Sequence, residues 1–333
     1  MIKKIVLIAA LCSWVLTACT SGAMENGVVS IWGGDVSLPK MISLIPISEH
    51  EISVSFTAPI TVSRAAAILP DDPETEIPVT WKEVLASKDI VFLLGESVGI
   101  GNRAALSATV IDGRGNSLSF SMPFTGFNSR PPVLRINEVR TEYSKPKVEY
   151  IELFVVQEGN LGGVELTNAM NTVRPFYEFP AVEVLAGDFI VYHLRSVEEG
   201  LVDEIALRDE SPGIDARSSA RDFWDTLTSA PLKKTNVLLL KNRKGGQLLD
   251  ALLLCEEGRT EWPNETVRLA AEEAALAGAW LPGPLVEDAF CSTGTTVTRT
   301  IGRNPFSADT ELSGDWKISA TSKCSPGATN APH

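Results

Sequence analysis

Residues 5–15 are almost all apolar and follow Lys3 and Lys4. A short basic region ahead of an apolar core of this length reads as an export signal, too short to anchor by spanning a bilayer. After a small, polar stretch at 20–29 the pattern changes to period two. β-branched and aromatic residues alternate with polar ones at 40–47, 51–57, 90–94, 104–111 and 117–124, with turn chemistry between them such as Asp112-Gly113-Arg114-Gly115-Asn116. That alternation predicts strands, and several short strands with one brief helical candidate at 81–87 predict a β-sandwich. Pro131 and Pro132 fix an extended backbone and remove two donors, so 128–132 reads as a linker. Beyond it, strands are predicted at 133–139, 148–155, 163–167, 189–193, 236–241, 247–254, 295–300 and 316–320. Two long segments interrupt this second β-rich region, 198–234 and 256–290, each with a helical candidate. These are 218–227, and 265–277 with Asn264 as its N-cap and Gly278 as its stop. The expected fold is all-β, two sandwiches in tandem, the second with helical insertions.

Leu16-Thr17-Ala18-Cys19 resembles the bacterial lipobox, in which small residues precede a cysteine whose thiol takes a diacylglycerol before cleavage on its N-terminal side. The resemblance implies lipidation at Cys19, a mature chain tethered through 19–36, and residence in the cell envelope. Thr20 stands where an aspartate would resemble inner-membrane retention, which favours the outer membrane. The alternative is ordinary secretory cleavage after Ala18 or Ala23, which would leave Cys19 as a spare thiol.

The first β-rich region, 37–127, resembles the immunoglobulin-like domains of bacterial surface proteins. Ile52-Ser53-Val54-Ser55-Phe56-Thr57-Ala58-Pro59 is similar to one of that family's strands, and Asp112 to Leu118 to its glycine–asparagine turn. The second, 133–330, resembles the lamin-tail domain, itself an immunoglobulin-like sandwich. The matching residues run in the family's order: Arg135-Ile136-Asn137-Glu138-Val139, Glu149-Tyr150-Ile151-Glu152-Leu153, Phe179-Pro180 leading to Leu185-Ala186-Gly187-Asp188, Arg299, Asp315-Trp316, and Ser325-Pro326-Gly327-Ala328-Thr329-Asn330. The two long segments exceed what a bare lamin-tail sandwich needs. Insertions on a rigid scaffold are where binding function tends to sit.

Without Lys3 and Lys4 the chain has 27 basic against 42 acidic residues, close to −15. Such a charge repels phosphate backbones and anionic lipid, so nucleic acid is not an expected partner. Cys255, Cys291 and Cys324 remain after the signal and anchor, which allows one disulfide and one leftover thiol in an oxidising compartment. The expected bridge is Cys255–Cys291, closing the base of the 256–290 insertion; the rival is Cys291–Cys324.

Chemistry-bearing patterns are few. Gly95-Glu96-Ser97-Val98-Gly99 has the form of a nucleophile elbow, but that turn needs a following helix and a base. The histidines are His50, His193 and His333, and a triad would rest on His193. The run from Gly99 to Ala104 has dinucleotide-loop spacing without a βαβ unit around it, and reads as a strand connection. Glu138, Glu149 and Glu152 fall on neighbouring strands, where facing carboxylates would form either an acid/base pair or structural ion pairs. With Asp112 they are also the oxygen ligands a hard cation would need. Trp32 and Trp262 lie in or beside loops, as exposed anchors for a protein or glycan or as buried core. No cofactor is implied. The expectation is a non-catalytic, membrane-anchored envelope lipoprotein that binds or scaffolds another macromolecule. The competing reading is an envelope hydrolase working through Ser97 or the strand carboxylates.

Overall fold

The computed structural model describes residues 23–24, 27–28, 38–70, 72–82, 87–226, 232–281, 283–305 and 309–331. The chain divides into two compact units, the first comprising Met1–Val98 and Arg103–Phe124, the second Gly99–Asn102 and Thr125–His333.

The first unit opens with a minimal antiparallel pair, β1 (Ala23–Met24) and β2 (Gly27–Val28). Seven longer strands follow: β3 (Met41–Ser48), β4 (Glu51–Phe56), β5 (Ile60–Leu69), β6 (Asp72–Lys82), β7 (Asp89–Leu94), β8 (Arg103–Asp112) and β9 (Ser117–Thr125). Their order is β3-β4-β7-β6-β5-β8-β9. β6 changes partner midway: its first half pairs with β5 up to Pro78 opposite Ala66, and its second half pairs with β7 from Val79 opposite Leu94. One strand thereby joins two antiparallel layers, and the inward residues of β4, β5, β7 and β8 fill one apolar core around Ile52, Phe56, Phe92 and Leu106. β5 and β6 were not predicted, because Ala65-Ala66-Ala67 in one and Pro73 and Pro78 in the other blur the alternation. The helix expected at 81–87 is absent at its start, where Trp81 and Lys82 end β6; 83–86 lie outside the described residues.

The second unit is a sandwich of two sheets. One is six-stranded, in the order β17-β16-β11-β10-β21-β22: β10 (Val133–Arg140), β11 (Tyr150–Gln157), β16 (Phe189–His193), β17 (Ala220–Trp224), β21 (Ile301–Arg303) and β22 (Trp316–Ile318). The other is five-stranded, in the order β14-β13-β18-β19-β20: β13 (Glu165–Asn168), β14 (Phe176–Glu178), β18 (Asn236–Lys241), β19 (Leu248–Cys255) and β20 (Phe290–Cys291). A short pair, β12 (Gly159–Asn160) with β15 (Glu183–Val184), stands beside them. Residues of both sheets share one core, with Ile136, Leu153, Leu240 and Leu252 at its centre.

Three expectations for this unit change. The predicted linker 128–132 belongs to the second unit, where buried Asn128 donates to Asn160 O at 2.6 Å and Gly162 O at 2.9 Å. The segment expected as helix 218–227 instead supplies β17, which pairs in parallel with β16 from Phe189 opposite Ala220 to His193 opposite Trp224. Burial decides that outcome over local propensity, since all five residues of β17 are buried and Phe223 packs edge-on against Phe179. The predicted strand 295–300 is a tight turn, closed by reciprocal backbone bonds between Thr296 and Arg299, and β21 begins only at Ile301.

The second helical expectation stands as α1 (Glu265–Leu276), the one α-helix among the described residues. Asn264 caps it by accepting from Val267 N at 3.0 Å. Gly278 ends it at φ 73°, with Gly278 N donating to Ala275 O and Ala279 N to Ala274 O, the paired bonds of a Schellman stop. Its Val267, Ala270, Ala271 and Ala274 face joins the core, so the alanine-rich stripe covers the outer side of β18 and β19.

Candidate functional site

The loop leading into α1 and the return after it form two legs of one insertion. Trp262 Nε1 donates to Pro284 O at 2.8 Å and ties them together, while its half-buried ring packs on the core. Between the legs lies an open hollow of 620 Å³ lined by Arg259, Trp262, Arg268, Glu272, Leu285 and Val286 among others. A second hollow of 710 Å³ is walled by Tyr143, Glu149, Arg195, Lys234, Glu256 and again Arg259. Arg259 lines both hollows, and the two together are called the cleft.

Ion pairs hold the walls. Arg195 Nε donates to Glu149 Oε2 at 2.6 Å, and its guanidinium lies 4.1 Å from the centre of the Tyr143 ring. Lys234 Nζ sits 3.2 Å from Glu142 Oε1 and donates to Thr295 O at 3.1 Å; Arg259 is 3.7 Å from Glu256. Tyr143 is 40% exposed and Leu285 57%, so the cleft offers aromatic and aliphatic surface between charges that water still reaches. Arg195–Glu149 is nearly buried, whereas Lys234–Glu142 and Arg259–Glu256 are partly exposed, and exposed pairs gain little within the protein itself. Amphipathic rings and arginine are the side chains that carry most binding energy at interfaces.

The sequence-nominated groups separate sharply. Trp262 is in the cleft and Glu149 lines it. Trp32 and Cys19 lie outside the described residues. Glu138 and Glu152 are cross-strand partners on β10 and β11, both buried, and both hold their protons above the ordinary carboxylate range. For Glu138 the cause is burial, opposed by the hydrogen bond from Thr300; for Glu152 it is burial and then the charge of Glu138. They look like an acid pair, yet both are engaged by the C-terminal segment. Glu138 accepts from Ser325 N at 3.0 Å, from Ser325 Oγ and from Thr300 Oγ1. Glu152 accepts from Gly327 N and, at 2.6 Å, from Asn137 Nδ2. Asn330 Nδ2 completes the clasp by donating to Asn137 O at 3.0 Å and Arg303 O at 2.8 Å. Asn137, Glu138 and Glu152 of β10 and β11 therefore meet Ser325, Gly327 and Asn330 of the C-terminal segment in one clasp.

Ser97 lies in an exposed connection after β7, and the next element is β8, a strand, so the helix of a nucleophile elbow is missing. It belongs to the first unit, whereas His193 belongs to the second. There His193 is fully buried, Nε2 2.7 Å from Asp222 Oδ1, its ring stacked on Trp224 at 3.7 Å. Asp112 belongs to the first unit and the strand glutamates to the second. The Asp112 carboxylate accepts from Arg114 N and Asn116 N, both at 2.9 Å, and from Asn116 Nδ2, which together hold it below its ordinary value. Among the described residues no three potential metal-binding side chains gather.

The expected Cys255–Cys291 bridge is not made. β19 and β20 bring the two residues into parallel register, but Cys255 is buried, its Sγ donating to Glu256 O at 3.3 Å, while Cys291 is exposed. Burial raises the Cys255 thiol above its ordinary value. The rival bridge is not made either, since Cys324 is also a free thiol and accepts from Arg140 Nη2 at 3.6 Å.

Sequence reasoning missed Tyr143, Arg195, Arg259 and the ion pair Arg140–Asp215, at 2.6 Å and fully buried. Only burial signals that pair; its members stand 75 residues apart.

Comparisons with known proteins place the chain as follows. Residues 132–318 match the family described as the TP_1001 protein second domain. A protein of Treponema pallidum (strain Nichols), named only as an uncharacterized protein, is 30% identical over 263 residues, which is 75% of this chain. That match spans 66% of the relative's length. Among solved structures, the N-terminal part of the bacterial S-layer protein SbsC gives a TM-score of 0.27 at 14% identity, covering 46% of this chain and 40% of the other, too slight to bear on the fold. Among the described residues no helix is long and apolar enough to cross a membrane.

Proposed function

The chain belongs to the family of the TP_1001 protein second domain, and on that premise we propose that it is a non-catalytic lipoprotein of the cell envelope, probing its surroundings through the Tyr143–Arg259–Trp262 cleft. In this reading acylated Cys19 anchors it, in the outer membrane, and the second unit is a lamin-tail-like sandwich that binds another macromolecule, a protein or a glycan. The observation that carries the reading is the opposite placement of two kinds of side chain. The carboxylates suited to acid/base work, Glu138 and Glu152, are buried and hydrogen-bonded by the C-terminal segment. Half-exposed aromatic, aliphatic and guanidinium groups line open hollows of 620 and 710 Å³.

Trp262 also ties the insertion together, so the informative variants are Tyr143→Ala and Arg259→Glu. Mature protein is incubated with envelope and matrix components, and partner affinity is compared across variants. Each substitution is expected to weaken binding about tenfold, or about 1.4 kcal/mol. A partner bound equally by both variants would remove the cleft from the reading. Ester or glycan hydrolysis abolished by Ser97→Ala would replace it with the hydrolase. The anchor has its own test: Cys19→Ser should abolish incorporation of labelled palmitate, and unchanged labelling would remove the lipoprotein assignment.

A further inference from the structure

β16 and β17 pair in parallel, so the chain must cross over between them, a connection that usually takes a helix. The crossover, 194–219, contains neither helix nor strand, and all of it lies among the described residues. An irregular segment of that length is commonly either disordered or functional. This one is held. Buried Glu204 accepts from Glu210 N at 3.0 Å, Ser211 N at 3.1 Å and Asp222 N at 3.0 Å, while Glu204 N donates to Asp222 O. Asp203 accepts from Trp224 N at 2.7 Å, Glu198 from Ile214 N at 3.0 Å, and Asp215 pairs with Arg140. Carboxylates turned inward therefore fix the loop backbone against β17.

The aliphatic side chains of the same loop do the opposite. Val202, Ile205, Leu207 and Ile214 are between 44% and 64% exposed, the reverse of the ordinary preference. Single exposed aliphatics are common on any surface, but these four share one loop whose two arms lie together. A Cβ on Gly200 would come within 3.6 Å of Pro212, and one on Gly213 within 2.8 Å of Leu201 Cδ2. Val202 follows Leu201 and Ile214 follows Gly213, so both stand beside that seam, with Ile205 and Leu207 on the stretch joining the arms. The exposed charges around them have one sign. Glu199, Asp209 and Glu210 are exposed, whereas Arg208 is paired with Asp188 and Arg221 is buried. Half-buried Arg217 donates to Ile214 O at 3.0 Å and Ala216 O at 2.9 Å.

We propose that this crossover is a docking surface for a cationic amphipathic segment of another protein, whose apolar side covers Val202, Ile205, Leu207 and Ile214 and whose lysines or arginines meet Glu199, Asp209 and Glu210. An acidic fringe repels anionic headgroups, and a second copy of a chain with net charge −13 would set the same fringe against itself. A basic partner has the complementary sign, which steers association and fixes register while the covered aliphatic surface supplies affinity. The surface shares no residue with the lining of the cleft, so its test stands apart from that of the cleft.

The test titrates the full mature chain with two synthetic amphipathic helices of equal length and identical leucine face, one with lysine and the other with glutamate on the polar face. Phosphatidylcholine vesicles with and without phosphatidylglycerol are the lipid probes. Saturable binding of the lysine helix is expected, weakening as salt rises. Ile205→Ser combined with Leu207→Ser should weaken it about tenfold or more, and Val173→Ser, at an exposed aliphatic between β13 and β14, should not. Glu199→Gln combined with Asp209→Asn should weaken it and flatten the salt dependence, a change that loss of fold would not mimic. All of these positions are exposed, and unchanged melting temperatures check that the variants fold. No saturable binding of the lysine helix, equal binding of the glutamate helix, or equal binding by wild type and the Ile205→Ser, Leu207→Ser variant overturns the proposal. So does vesicle binding without helix binding, which assigns the patch to lipid, or a dimer lost in that variant, which assigns it to a second copy.

Discussion

The two units solve the problem of a β-sandwich differently. In the first, strands keep strict alternation: β4 reads half-buried and buried by turns, and β8 does so over most of its length. Each sheet has one face toward the core and one toward water, and no polar or charged residue is buried among the described residues of that unit. In the second, β17 is buried throughout and β18 and β19 nearly so, because α1, the 195–219 loop and the C-terminal segment lie over the outer faces of the sheets. Both faces of these strands leave water, and the covered side holds ionisable groups: Arg140, Asp215, His193, Asp222, Glu138 and Glu152 are all buried. A sheet with one wet face is defined by its apolar alternation. One with two dry faces must satisfy every polar group it covers, which fixes loops and termini in place.

The largest expected effect breaks that satisfaction. Asp215→Ala leaves Arg140 charged and unpaired in the interior and also takes the acceptor from Val148 N, at 3.0 Å. Removing one partner of a buried pair costs about 3–5 kcal/mol. Hydrogen exchange followed segment by segment should show the loss across β10, β11 and the 213–217 loop, with the first unit unchanged. Leu106→Ala should do the converse, destabilising the first unit by about 2–5 kcal/mol through a cavity and sparing the second. Loss of protection in both units from either change would mean that they do not behave as separate cores.

A smaller effect isolates the clasp. Gly327 has φ 77°, and a Cβ there would lie 2.7 Å from Ser219 Oγ and 3.0 Å from Arg217 Cβ. Gly327→Ala should therefore cost about 1–3 kcal/mol, seen as faster proteolysis after residue 319 with the sandwich core intact. Wild-type resistance in this variant would show that the segment is held by something other than Glu138 and Glu152.

The smallest effect is the pH response, which should differ in sign between the units. Burial raises Glu138 and Glu152 above the ordinary 4.5, and burial with the charges of Asp250 and Asp309 brings Glu311 to about 7. A proton held more tightly in the folded state contributes stability that is complete below 4.5 and is lost as pH rises through the raised values. The second unit should weaken from mildly acid to neutral pH and above, by at most about 1.4 kcal/mol per pH unit for each proton released. Glu152→Gln should flatten that slope. Asp112 in the first unit is lowered, chiefly by the Asn116 side chain, so its contribution is present above 3.8 and lost only on further acidification. Denaturant midpoints measured across pH check both, and identical profiles for wild type and Glu152→Gln would remove the carboxylate pair as the cause.

The alternation of the chain by itself determined the all-β class, the first unit's strands β3, β4, β7, β8 and β9, and the capped helix α1, because each follows from neighbours within a few residues. It also put Glu138 and Glu152 on neighbouring strands, while Gly327 and Asn330 entered only through a family resemblance, and neither showed that the four would meet. Tertiary structure alone decided that 218–227 becomes β17, that Cys255 and Cys291 share a register without bonding, and that Glu204 is buried while Ile205 is not. Those outcomes depend on what covers a residue, and in this chain the cover comes from far along the sequence: Asp215 for Arg140, Gly327 for Glu152, Pro284 for Trp262. Burial of a polar group is a property of that distant contact, with no periodicity of its own for a sequence to display.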